Sequence, residues 1–571
     1  MNGGTTPAAT VSGASYAQAR IHFLHTMAGQ SAAFNIARAV DLEGDLDIGA
    51  LAWGVCECAG RHEILRSCFR VLNGQLRQIV TPAGPGLAVI DLRSLAGRSG
   101  SQADDTLAVG LAQQEARKPF DLARGPLLRM TALLLGERRS LLLITLHHII
   151  ADGQSLDILL RELSALYTSR ATGVPHRLPV PELQYVDYAA WQRQRVEGGS
   201  LDADADFWRE QLRGLTALAL PSDRPRLPLP AYEGRAHRFP LDVTLLARLK
   251  ALARHESVSF FMVLLAGFAV LLHRSTGQTD IAVGSTTSSR TRPELVDMVG
   301  LFVNMLVFRI PVEGSMTLRD VVGAAGEVCL DAYQHQEVPF EQVVAHSVGD
   351  RREPAKHPLF QVVFQMLEDD DADLPMAGLR ARVRQPDGQS GGFDLIWTVG
   401  TLGERATVCI SYATSLFDHS TVTKMAANWL RVLEQMAEDP DRTVGTVGIL
   451  PPPSGGGWNG RTGPVPATPV PVPETGHAPQ RTHPASGAAV PAALTGLWIR
   501  VLGVPDAKPD VSFFAQGGQS LLATILITQV EEEFGVRVSL DEFFRQPTLS
   551  ALAGWIRRER AGRHDSPSAD V

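Results

Sequence analysis

Two short stretches of this chain bring together side chains able to do chemistry. In TLHHIIADGQS, at 145–155, a strongly apolar run ends in His147 and His148, followed by Asp152 and Gly153. A neutral imidazole can take a proton from an attacking amine or hydroxyl, because its ordinary pKa of about 6.5 leaves much of it basic near neutrality. Along a strand, neighbouring side chains point to opposite faces, so one of the two histidines faces a given cavity and the other orients the loop. Taken alone, the pair also fits packed or capping histidines, or a metal site. Adjacent histidines pointing apart would struggle to share one metal, and no nearby segment adds a third ligand at familiar spacing. The second stretch, VSFFAQGGQSLLA at 511–523, sets Gly517 and Gly518 before Ser520 at the start of a helical pattern. Read alone, Ser520 is a helix N-cap, with the two glycines supplying the turn.

The surroundings are those of a multi-domain globular chain. At about 100–200 residues per domain, 571 residues bound it at three to five domain-sized units. The hydrophobic share of 44%, the charged share of 20% and a mean hydropathy of +0.01 exclude wholesale disorder. A net charge of −8 and a pI near 6.1 offer no cationic field for phosphate backbones, so no nucleic-acid partner is expected. Five cysteines (Cys56, Cys58, Cys68, Cys329 and Cys409) suit reduced thiols better than a disulfide framework. Cys56 and Cys58 lack a second pair for zinc, and no metal is expected. No run approaches the roughly 18 apolar residues that span a bilayer, and the start carries no basic and apolar leader. The expectation is a cytoplasmic protein without membrane contact.

One composition shift dominates. From 451 to 487 the chain is rich in Pro, Gly and Ser, with alternating prolines that favour extended polyproline II, the mark of a linker. Upstream, strand-like runs such as LLLITL (141–146) and IAVGSTT (281–287) alternate with helix-like stretches such as VTLLARLKALARHE. The body is therefore read as mixed α/β in two lobes, 12–180 and 181–450, with a soft boundary near the Pro-rich 175–181. Downstream, 488–562 reads as a small all-α bundle, with Leu522, Leu526, Val530 and Phe534 forming one buried stripe.

With those elements in place, the residues His147-His148-Ile149-Ile150-Ala151-Asp152-Gly153 resemble the HHxxxDG motif of nonribosomal peptide synthetase condensation domains. Further matches follow in the family's order: SYAQARIHFL (15–24), RHEILRSCF (61–69), YVDYAAW (185–191), GLFVNMLVFR (300–309), HQEVPFEQVV (335–344) and HPLFQVVFQM (357–366). The resemblance implies two chloramphenicol-acetyltransferase-like lobes in a V-shaped pseudo-dimer, with a tunnel that a donor thioester and an acceptor amine enter from opposite mouths. It implies that His148 is the catalytic residue, as base or as anchor of the acceptor. It makes Asp152 structural, held by an arginine for which Arg290 in TSSRTRPE is the candidate, and it lets the Gly153 N–H face a developing oxyanion. The chain departs from the usual pattern at Gln154, where Trp is common, and at Met305, where Thr often stands. Retention of His148 sets it apart from cyclization and recruitment relatives. Epimerization relatives normally follow their carrier, whereas here the carrier-like region comes after.

LWIRVLGV, SFFAQGGQSLLA, FGVRVSLDEFF and PTLSALA together resemble a peptidyl or acyl carrier, with Ser512 where Asp is usual. That likeness makes Ser520 the attachment point of 4′-phosphopantetheine, installed by a phosphopantetheinyl transferase. The expected whole is a condensation–carrier didomain, an acyltransferase forming an amide or ester bond for secondary-metabolite (antibiotic) biosynthesis. The expected partners are an upstream donor carrier, a trans-acting adenylation domain that loads the acceptor onto Ser520, and a downstream synthetase or release enzyme. The alternatives are a CoA-dependent acyltransferase and a noncatalytic platform presenting a carrier-bound intermediate to a tailoring enzyme.

Overall fold

The structure is a computed structural model. It describes residues 10–450 and 489–564, apart from 28, 30, 94–100, 227–233, 348–356, 358, 369–372 and 385–392 in the body. In the C-terminal region 503, 505, 514–515, 517–525, 528, 531–532, 537, 539–542 and 544–545 are likewise excepted. The linker read at 451–487 therefore lies outside the described residues.

Strands are numbered along the chain. The first six-stranded sheet has the order β12-β13-β2-β7-β6-β5, built from Asp373–Met376, Leu379–Arg384, Asn35–Gly44, Arg139–His147, Leu128–Leu134 and Leu87–Asp91. The second has the order β10-β9-β11-β14-β15-β8, from Val303–Pro311, Asp280–Ser288, Val362–Glu368, Leu395–Leu402, Arg405–Ala413 and Gly234–Pro240. A small three-stranded sheet joins β1 (Thr10–Gly13), β4 (Gln75–Val80) and β3 (Ser67–Leu72). Helices pack on both large sheets, which fulfils the mixed α/β reading.

The apolar run that ends at the histidines is β7. It lies between β2 and β6, antiparallel to both, and is buried from Ser140 to His147. A strand covered on both faces reads as a continuous apolar run rather than an alternating one. IAVGSTT likewise falls in β9, and VTLLARLKALARHE forms the helix Val243–His255, capped by Asp242.

The chain weaves between the two halves. β13 returns from the second half to pair with β2, with Leu379 opposite Gly44 and Arg384 opposite Ala39. Leu295, Met298, Val299, Leu301 and Phe302 also pack in the core of the first half, beside Leu156, Leu159 and Leu163.

The most apolar helix, Phe260–Thr276, is core: nearly all its side chains from Phe261 to Leu272 are buried, and Ser259 caps it. Among the described residues no single helix is long and apolar enough to cross a membrane. In the C-terminal region the helices Ala489–Leu502 and Leu549–His564 frame an aromatic core, with Trp498 edge-on to Phe513 (5.0 Å) and Phe543 (6.0 Å). Leu526, Val530 and Phe534 of the expected stripe are buried there, while Leu522 lies outside the described residues.

Candidate active site

β7 delivers the two histidines into different surroundings. His147 is the last strand residue and is fully buried, flanked by the rings of Phe34 and Phe120. Its Nδ1 accepts the backbone N–H of Ile149 (3.1 Å), so the neutral ring carries its proton on Nε2, which donates to Nδ1 of His25 (3.1 Å). Burial, with the neighbouring His25 and His148, holds the His147 pKa well below the imidazole range, so the ring stays neutral.

His148 stands in the turn after the strand and is partly exposed. Its backbone N–H is anchored on the Phe34 carbonyl (2.7 Å), and its Nδ1 donates to the Ala151 carbonyl (2.7 Å). A ring that donates from Nδ1 while neutral presents an unprotonated Nε2, and among the described residues Nε2 has no hydrogen-bond partner. Desolvation lowers the His148 pKa, against the Ala151 hydrogen bond and the charge of Asp152, which raise it. Loss of hydration wins, and the ring is neutral near pH 7.

Asp152 and Gly153 open a helix. Asp152 is the N-cap of Gly153–Thr172, and its Oδ1 accepts from the Ser155 N–H (2.8 Å) and hydroxyl (2.6 Å). The same oxygen meets Arg290 Nη2 (3.0 Å), and Oδ2 accepts the Phe302 N–H (3.0 Å). Arg290 donates from Nη1 to the Leu295 (2.7 Å) and Met298 (2.6 Å) carbonyls, and its guanidinium covers the Phe302 ring at 3.9 Å. Gly153 is exposed at the first helical position, where backbone N–H groups lack intrahelical partners, and an added Cβ there would meet nothing within 4 Å.

Three further participants were not singled out from sequence. The Ser155 hydroxyl contacts Asp152, Arg290 Nη2 (2.8 Å) and both the N–H and carbonyl of Gly300. The Tyr185 hydroxyl donates to the Leu301 carbonyl (2.6 Å) and meets Ser15 (2.9 Å). His25 closes the histidine pair. Asp ahead of a helical run is an N-cap signal that could have flagged the role of Asp152, whereas the contacts of the Ser155 hydroxyl, Tyr185 and His25 depend on tertiary placement. Ser520, with Gly517 and Gly518, lies outside the described residues.

The chain belongs to the condensation-domain family: the model of the condensation domain matches residues 9–454, and that of the phosphopantetheine attachment site matches 492–556. The group implied for the C-terminal region is thus 4′-phosphopantetheine. A linear gramicidin synthase polypeptide of Brevibacillus parabrevis is 36% identical over 440 residues, covering 76% of this chain and 6% of that protein. The dimodular nonribosomal peptide synthase of Bacillus subtilis is 34% identical over 452 residues, 77% of this chain and 18% of that protein. The chain therefore spans only a small part of its curated relatives. Among solved structures, the X-domain from teicoplanin biosynthesis is 29% identical with a TM-score of 0.68, covering 77% of this chain and 97% of that one. The X-domain in complex with OxyB, from the same biosynthesis, is 26% identical, also with a TM-score of 0.68.

Proposed function

We propose that this chain joins a carrier-bound acyl or aminoacyl donor to an acceptor amine or hydroxyl, with His148 as the group that receives the acceptor's proton. The observation that carries the reading is the mounting of His148: Nδ1 is committed to the Ala151 carbonyl, which leaves a neutral, unpaired Nε2 at a partly exposed position. As the acceptor nitrogen bonds to the donor carbonyl carbon and the carbon–sulfur bond breaks, Nε2 takes the nitrogen's proton and returns it to the departing thiolate. Gly153, with its N–H at a helix N-terminus, is the candidate to face the carbonyl oxygen as it gains charge. Asp152 and Arg290 hold the loop and do not exchange protons. Phosphopantetheine on Ser520 supplies the thiol on which a substrate is held as a thioester. In this reading Ser520 carries the acceptor, loaded in trans by a separate adenylation domain after a phosphopantetheinyl transferase has acted. The domain spans proposed are 12–180 and 181–450 for the lobes and 488–562 for the carrier.

The test supplies the holo chain, acceptor-loaded, with an acyl-loaded donor carrier, and follows the product by mass spectrometry. His148→Ala should lower turnover roughly 10²- to 10⁴-fold while carrier binding survives. Undiminished turnover in that variant would remove His148 from the chemistry. A second reading, a platform that recruits a tailoring enzyme, draws support from the likeness to the X-domain that forms a complex with OxyB. It would be favoured by a wild-type chain that binds such a partner and forms no product.

A further inference from the structure

The helix Tyr16–Met27 packs a third histidine, His25, against the turn that carries His147 and His148, and its role goes beyond the HHxxxDG motif. His147 has two ring nitrogens and one proton. The Ile149 N–H occupies Nδ1, so the proton must sit on Nε2, and the acceptor waiting for it is His25 Nδ1 at 3.1 Å, with the rings edge to face at 4.9 Å. The Ile149 N–H lies inside the turn 147–151, on which His148 is mounted by its own bond to Ala151. We propose that His25 is a positioning residue: by accepting the His147 proton it fixes that tautomer, and through the Ile149 N–H it holds the turn that aims His148 Nε2. The function of that aim rests on the proposed condensation chemistry, whereas the pairing itself does not.

A proton added to His25 can enter only at Nδ1, because in the neutral ring Nε2 already carries one. Two N–H groups would then face each other, and the pair would open. The groups facing His25 are His22 one turn earlier on its own helix, His147 from β7, and Asp121 from the segment before β6. Burial lowers the His25 pKa while Asp121 raises it, so the opening belongs below the ordinary imidazole range. His22 is held neutral by burial, down to about 4.

Two variants of the full holo chain test this. His25→Phe keeps an aromatic ring and removes the acceptor, and should cost roughly ten- to a hundredfold in kcat with the KM for the donor-loaded carrier within about twofold. His25→Gln keeps an oxygen acceptor that does not titrate, should retain most of the turnover, and should make the acid limb of its kcat profile shallower than in the wild type. Wild-type kcat in His25→Phe, or an unchanged acid limb in His25→Gln, overturns the proposal. Melting temperature reports whether each variant folds. Nitrogen-15 spectra of histidine-labelled protein report the pairing independently of turnover: the Nε2-protonated tautomer of His147 should persist in the wild type and His25→Gln and become mixed in His25→Phe. A wild type without turnover would sink the condensation reading alone, and an identical tautomer in all three proteins would sink the pairing.

Discussion

Asp152 and Arg290, 138 positions apart, meet at 3.0 Å with both side chains almost sealed from water. The carboxylate caps the helix that follows the histidines, and the guanidinium grips the carbonyls of Leu295 and Met298 on the chain's second half. Among the described residues the two charges meet each other and a set of hydrogen bonds, so removing one strands its partner in a low-dielectric interior.

Arg290→Ala should therefore destabilise the body by about 3–5 kcal/mol, read from denaturant unfolding. Arg290→Lys should recover little, because an ammonium lacks the fork that serves Asp152, Ser155 and two carbonyls together. A loss below about 1 kcal/mol in the alanine variant would show that the pair is no anchor.

Gly300 should not tolerate a methyl group. An added Cβ would collide with the Tyr185 ring, and the Gly300 backbone is pinned by Ser155 on both its N–H and carbonyl. Gly300→Ala is expected to cost about 1–3 kcal/mol and to lower the melting temperature by several degrees. An unchanged melting curve would mean that Tyr185 moves freely, against its bonds to Leu301 and Ser15.

Glu162 makes stability depend on acid. Burial would raise its carboxyl, but hydrogen bonds from His62 Nε2 (2.9 Å) and Arg61 Nε (2.8 Å) outweigh burial and bring it down to about 2. A pKa depressed on folding gives stability that is present above the unfolded value, near 4.5, and lost as pH falls from there toward about 2. The contribution is on the order of 3 kcal/mol at about 1.36 kcal/mol per unit. Unfolding free energies measured across that range should fall more steeply for the wild type than for Glu162→Gln, and parallel curves would refute the assignment.

Incubation with coenzyme A and a broad-specificity phosphopantetheinyl transferase should add one phosphopantetheine, seen by intact mass spectrometry, and Ser520→Ala should abolish it. Addition that persists in the variant would move the attachment to another side chain.

The sequence was most legible where chemistry and local rules coincide. The apolar run ending in His147 and His148 announces the buried strand β7, whereas the capping of the next helix by Asp152 came to light only in the structure. Family likeness supplied Arg290, which no local rule could pair with Asp152 across 138 positions. What stayed hidden depends on tertiary placement. His25 reaches His147 only because the helix Tyr16–Met27 is laid against the end of β7, and Gly300 needs its missing side chain only because Tyr185 is pressed against it. The pairing of Leu379–Arg384 with β2 is likewise set by tertiary placement.

The pairing of β13 with β2 has a consequence for biosynthesis. On the ribosome, β2 emerges more than three hundred residues before the strand that covers its edge, so a nascent chain passes through a long interval with that edge unpaired and open to adhesion with neighbours. A chimera spliced near residue 181 would perpetuate that exposed edge in its first half or import a foreign β13 whose register must match Gly44 and Ala39. Engineered exchange of these units is better served by transplanting β2 and β13 together than by cutting where the polypeptide looks most like a hinge.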